Sequence, residues 1–179
     1  MKTDTAFYIN SQAYSVRRLS LADSQAIQVL HDQCLDFMLL VDVHPAGPNA
    51  GAEEFEDLPP GKSQDDHFVF GIADQQDNLV GLLDAVRGYP DETTWWVGLL
   101  LLAPEVRSQG LGPIVLQGFN EFVRSTGGQA VMLGVVEQNR RAYKFWSRIG
   151  FDFVRETEPR QFGYKTQTVI IMRRLLPPT

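Results

Sequence analysis

The chain has 179 residues, 44% hydrophobic and 21% charged, the balance of a globular protein long enough to bury one sizeable core. Its formal net charge of −6 argues against a nucleic-acid partner, and its apolar runs fall far short of a membrane span. The single cysteine, Cys34, closes no internal disulfide, and His31, His44 and His67 form no spaced ligand set, so no metal is expected. The first residues lack the apolar stretch of a signal peptide, which makes a cytoplasmic protein the expectation.

Tyr14 to Leu19 predicts a first strand. Ser20 and Asp23 have the spacing of a capping box, and Ile27, Leu30, Cys34, Phe37, Met38 and Val41 follow at steps of three and four, which predicts one helix over about 22–41. Cys34 on its apolar face reads as core, with nothing nearby to activate a thiol. His44 to Pro60 is rich in proline, glycine and acids (Glu53, Glu54, Glu56, Asp57) and reads as a loop with one helical turn at most. Pro60-Gly61-Lys62-Ser63 fails as a phosphate loop, because Glu56 stands where the first glycine belongs and no strand precedes it. His67–Ala73 and Leu79–Val86 predict a hairpin about Asp77-Asn78. Thr94–Leu102 is a nearly continuous apolar strand, hence central and covered on both faces. Leu111, Val115, Phe119, Phe122 and Val123 form a helical stripe closed by Gly127-Gly128. Strand Gln129–Val136, helix Asn139–Ile149 and an antiparallel pair, Phe151–Glu158 with Gln167–Leu175, complete the chain. The order β-α-β-β-β-α-β-α-β-β gives a mixed sheet with helices on its faces, an α/β or α+β fold in one domain with its core over about 14–175.

The junction Leu99 to Gly112, LLLLAPEVRSQGLG, carries the first chemical signal. A strand ends at Ala103-Pro104, a turn follows, and a helix begins, so the backbone N–H groups of Ser108, Gln109, Gly110, Leu111 and Gly112 are orphan donors suited to an anion. Pro113 removes one further donor, and Arg107 either adds charge or braces the turn. Two glycines at this spacing are not the dinucleotide-binding fingerprint.

The second signal is Asn139 to Phe151, NRRAYKFWSRIGF. Arg107, Gly110 and Gly112, followed by Asn139, Ala142, Gly150 and Phe151, resemble the two motifs of the GNAT superfamily of acyl-CoA-dependent N-acetyltransferases, and the element order agrees from about 14 to 175. The resemblance implies a mostly antiparallel, splayed central sheet and acetyl-CoA as co-substrate. It implies that Arg107 to Gly112 hold the pyrophosphate, that Leu100, Leu101 and Leu102 line the pantetheine arm beside a bulge, and that Asn139, Ala142 and Trp146 border the cofactor. It also implies a small-molecule or peptide amine as acceptor, and it admits a homodimer.

Family members often carry a tyrosine that protonates the leaving thiolate; the matching position here is Trp146, whose indole has no usable acidic proton. Tyr143, three residues earlier, is a substitute, or the thiolate leaves unaided. A carboxylate must accept the amine's proton, and Glu137 and Asp84 are the candidates; Asp84 alternatively pairs with Arg87 or Arg17 as a structural charge. Trp95 and Trp96 face opposite sides, one toward the core and one toward an acceptor cleft. Glutamate at Gly110 or Gly112 is expected to abolish cofactor binding and leave the fold intact. The rival reading is an acyl-CoA-binding sensor without catalysis, for which Trp146 is the main support.

Overall fold

The structure, a computed structural model, describes residues 6–177. Within them nine strands and five helices follow one another: β1 (Tyr14–Arg18), α1 (Ser24–Gln33), α2 (Leu35–Asp42), α3 (Ala50–Glu53), β2 (His67–Asp74), β3 (Leu79–Arg87), β4 (Thr94–Leu102), α4 (Leu111–Ser125), β5 (Ala130–Val136), α5 (Arg140–Arg148), β6 (Asp152–Glu156), β7 (Arg160–Phe162), β8 (Lys165–Gln167) and β9 (Val169–Leu175). Seven strands form one sheet in the order β1-β2-β3-β4-β5-β9-β6. Only the β4–β5 pair is parallel, as a strand-helix-strand crossover through α4 requires. The fold class expected from the pattern is the one observed.

The core is built on alternation. Trp95 is 1% exposed and packs edge-on against Phe119 and Phe122 of α4 and beside Phe68. Trp96 sits opposite Val86, on the other face, against Tyr89. Asp84, two residues from Val86, shares the Trp96 face. The two tryptophans therefore divide as period two requires, one into the core and one onto the face that carries Asp84.

Two expectations need correction. The helix over 22–41 is broken at Cys34 (φ −96, ψ 37), where α1 hands over to α2. The thiol is fully buried and donates to the Leu102 carbonyl at 3.5 Å, which ties the break to the end of β4. Apolar spacing hid it, because the stripe runs on through the kink. The two strands expected to close the chain, Phe151–Glu158 and Gln167–Leu175, are also interrupted by a hairpin, β7–β8, that clasps α2: Lys165 Nζ donates to the Leu39 and Leu40 carbonyls, and Gln167 Nε2 to Val41. Leu40 and Val41 are among the carbonyls a helix leaves unpaired at its C-terminal end, satisfied here from more than a hundred residues away, while Leu39 also accepts from Val43 N. Pro60-Gly61 is a plain turn, as read. No helix among the described residues is long and apolar enough to cross a membrane.

Candidate active site

The central feature is a parting of two strands. β4 and β5 pair only from Thr94↔Ala130 to Val97↔Leu133. Beyond that point β4 stays bound to β3 as far as Gly81↔Leu102, and β5 stays bound to β9 as far as Val136↔Val169. The register of β3 on β4 slips between Asp84 and Ala85, which makes Gly98 the extra residue of a bulge. Gly98 on β4 and Gly134 on β5 are exposed where the strands separate. From Gly98 to Leu102 β4 has no strand partner along the split, where the sequence places Leu100, Leu101 and Leu102 as the rail, although the Leu102 carbonyl is already taken by Cys34 and Arg107.

At the far end of β4 lies the anion turn. Ser108 (φ +62) and Gly110 (φ +84) are left-handed, and α4 starts directly after Gly110. The N–H groups of Ser108, Gln109, Gly110, Leu111 and Gly112 find no acceptor among the described residues, and the first capping bond of α4 runs from Ile114 to the Gly110 carbonyl. Gly110 has no atom within 4 Å of where a Cβ would stand, so its side faces open space. Five unpaired donors, the positive end of a 15-residue helix and open space beside Gly110 fit a pyrophosphate.

Gly112 behaves differently from Gly110. It is buried, and a Cβ there would stand 3.0 Å from Phe145 of α5. Its smallness lets α5 close onto α4, so glutamate at Gly112 would disturb packing as well as binding, against the expectation that the fold would be spared.

Arg107 braces rather than reaches out: Nε donates to the Leu102 carbonyl at 2.7 Å, and the head group is ion-paired with Asp36 of α2. The guanidinium beside Asp36 is the leading reason that this carboxyl is held below the usual carboxylate range. A cation that sequence reasoning missed stands nearby: Arg141 of α5 donates to Ser108 Oγ at 3.1 Å. Its position inside the Asn139–Phe151 motif was the available signal. Asn139 caps α5, its Oδ1 accepting from Ala142 N at 3.0 Å. Trp146 is 7% exposed and packs edge-on against Phe145 and Phe151. Tyr143 is half-buried on α5, and Glu137 lies exposed just past β5 with its N–H on the Thr168 carbonyl.

On the other side of the split lies a chain of titratable groups. Asp84 Oδ1 is 3.0 Å from His67 Nε2 of β2, and Glu54, next to α3, is 3.0 Å from His31 Nε2 of α1. The Arg87 and Arg17 pairings considered for Asp84 are not formed: Arg87 contacts Asp66 and Arg17 contacts Asp23. Burial, helped by the neighbouring Glu54 carboxyl and opposed by the His67 bond, pushes Asp84 up to about 6. The bond to Asp84 is the main reason His67 is raised above its ordinary value. The Asp84 carboxyl reaches the split at Gly98, where a Cβ would stand 3.6 Å from its Cγ. No group of three or more His, Cys, Asp or Glu among the described residues is arranged to hold a metal ion. A cavity of about 780 Å³ lies at the opposite ends of β4 and β5, lined by Thr94, Ala130, Arg124 and Arg173, away from this chemistry.

The candidate site is therefore a split between two parallel strands, with a turn of unpaired backbone donors at one end and a buried acid at the other. Residues 29–151 match the model of the acetyltransferase (GNAT) family, and the chain belongs to that family. It is an acetyltransferase of the class whose general reaction is N-acetylation from acetyl-CoA. Among solved structures it is similar to an acetyltransferase from Thermus thermophilus, with 20% identity, a TM-score of 0.75, and 92% of this chain and 97% of that one covered. It is also similar to nourseothricin acetyltransferase (19%, TM-score 0.67, 93% and 100% covered). A spermidine N-acetyltransferase chimera from Vibrio cholerae and hSSAT gives 17% identity, a TM-score of 0.67, and 92% and 96% covered. No curated protein matches the chain. At these identities the structural likeness speaks for the fold alone.

Proposed function

We propose that this chain transfers an acetyl group from acetyl-CoA directly to a primary amine, with Asp84 as the proton acceptor and no covalent enzyme intermediate. The observation that carries the reading is the free edge of β4 between Gly98 and Leu102, with unpaired backbone donors at one end and the Asp84 carboxyl at the other. Acetyl-CoA brings an activated thioester; the remaining work is binding, orientation and proton removal. The N–H groups of residues 108–112 receive the pyrophosphate, and Arg141 adds positive charge beside them. Leu100, Leu101 and Leu102 hold the pantetheine arm along their free edge, and a backbone N–H at Leu100 or Leu101 polarises the acyl carbonyl. Asn139 fixes the start of α5, and with Ala142 borders the same arm. Trp146 packs in the core, where it supports α5.

The incoming amine is an ammonium ion at neutral pH and must lose a proton before it can attack. A carboxylate of ordinary acidity is a weak base for this; one raised toward neutrality is better matched. Asp84 meets that requirement and opens onto the split at Gly98. Glu137 is a second acceptor at the mouth, exposed to water and therefore less favoured. Tyr143, half-buried on α5, supplies the proton to the thiolate and recovers one from the nitrogen of the new amide, so the second proton shed by the amine passes through it. Cys34 takes no part, since burial pushes its thiol up and its sulfur is bonded to Leu102.

The test is free-thiol release from acetyl-CoA over a panel of small amines, amino acids and peptides. Thiol release matched by acetylated amine supports direct transfer. Saturable acetyl-CoA binding without turnover on any amine assigns the chain to the sensor reading instead.

A further inference from the structure

Asp84 opens onto the split, and the imidazole behind it does not: the Asp84 side chain is 12% exposed, the His67 side chain 1%. We propose that His67 is a positioning residue for the acetyl transfer: through its Nε2–H it fixes one oxygen of the Asp84 carboxylate, leaves the other for the incoming amine, and keeps the buried acid ionised so that it can accept a proton. This rests on the N-acetyltransferase reading.

The pair is set by the register of the sheet. His67 is the first residue of β2 and lies opposite Val86, while Asp84 of β3 lies opposite Val69. Imidazole and carboxyl are therefore diagonal neighbours on one face, within reach of each other. Nε2 and Oδ1 meet at 3.0 Å. The end of β2 is held as well: Arg18 of β1 lies over the Phe68 ring, 4.0 Å from its centroid, and donates to the His67 carbonyl at 2.6 Å. His67 Nδ1 is buried with no partner among the described residues. An orphaned ring nitrogen and a buried carboxylate are both costly, and two apolar side chains would fill the same places without either cost. Packing alone therefore leaves the pair unexplained.

The orphaned nitrogen also settles the tautomer. A hydrogen on Nδ1 would be a buried donor with nothing to receive it, so the neutral ring carries its hydrogen on Nε2, and the cation carries one there too. Nε2 thus donates to Asp84 in either state of the ring. Burial drives the Asp84 carboxyl toward its protonated form; the His67 bond is the main influence against it, and the carboxyl settles at about 6. The other charged groups acting on the pair are Glu54, itself bonded to His31 of α1, and Arg18. Asp66, next to His67 in sequence, is engaged by Lys62 and Arg87, and β4 offers the uncharged Gly98 and Leu99. The protons balance. The ammonium gives one to the free oxygen of Asp84, the N–C bond forms as the C–S bond breaks, the second passes through Tyr143 to the thiolate, and Asp84 returns its own to solvent. His67 keeps its Nε2 hydrogen throughout and touches no reacting atom.

The experiment compares the pH dependence of kcat/KM for His67→Leu, His67→Gln and wild type, on an amine that supports thiol release. His67→Leu removes the donor and should move the acidic limb up by about one pH unit, so that activity at the acid end of the profile falls about tenfold. His67→Gln still offers an amide hydrogen and should restore most of the limb's position. Imidazole ¹⁵N NMR of the wild type, which needs no variant to fold, should show neutral His67 protonated on Nε2 and bare on Nδ1. An acidic limb unmoved in His67→Leu overturns the proposal while leaving the reaction intact, and so does a neutral His67 with its hydrogen on Nδ1. Absence of turnover on every amine overturns the reaction itself.

Discussion

The two sides of the β4–β5 split are made in opposite ways. The anion turn is written in six consecutive residues, Arg107 to Gly112, and acts through backbone N–H groups. The acid chain draws single side chains from α1, the end of α3, β2 and β3, and acts through their charges. The first asks little of its side chains beyond the Arg107 brace and a small residue at Gly112 against Phe145, provided that Gly110 keeps its left-handed φ and its open approach. The second depends on each residue and on the packing that brings it in. The difference teaches where substitutions should be silent and where they should not.

The sharpest way to break the comparison is at Asp84. Asp84→Asn should lower kcat/KM by about 10²- to 10⁴-fold, the range of a lost general base, and leave acetyl-CoA affinity unchanged by calorimetry. Glu137→Gln should have a much smaller effect in the same assay; an equal or larger loss would transfer the role to Glu137. Next in size is Gly51→Ala. The overlap with the Ser24 carbonyl should destabilise the protein by about 1–3 kcal/mol in denaturant unfolding, as overpacking does. Smaller again is Tyr143→Phe, which should reduce kcat by less than the roughly 100-fold of a typical lost acid, because a thiolate leaves readily. An unchanged kcat would restrict Tyr143 to packing.

The acid side should also mark the stability curve. Asp84 has its folded value raised from 3.8 to about 6, so between those values the folded state holds a proton that the unfolded chain has released. Stability therefore falls as pH rises through that window. His67 is raised as well, and its contribution is present below 6.5 and lost as pH climbs through its folded value. Denaturation midpoints measured across this range should decline toward alkaline pH, and Asp84→Asn should flatten the acidic part of the slope.

The same contrast explains what could be read from the chain before its fold. Local signals were legible: the strand run into Pro104, the Gly110 turn, the Asn139 cap and the alternation that divides Trp95 from Trp96 all depend on neighbours in sequence. Asp84 stood out as an acid in an apolar strand, but its partner did not. His67 lies 17 residues away, and it meets Asp84 only because β2 and β3 pair in one register. Glu54 looked like one of four solvated loop acids, since nothing in sequence reveals that Gly51 docks on Ser24. The kink at Cys34 and the β7–β8 clasp on α2 were hidden for related reasons. The apolar stripe is continuous through the first, and the second satisfies helix carbonyls from a distant hairpin. Gly112 looked equivalent to Gly110 until Phe145 was seen against it.

The most direct test of the account is calorimetric titration of acetyl-CoA into the wild type and Gly110→Glu, with circular dichroism to show that both are folded. A glutamate there points into open space and sets a carboxylate among the five donors. The account predicts saturable binding to the wild type and its loss in the folded variant. Equal affinity in the two proteins, or no binding to the wild type, would contradict it.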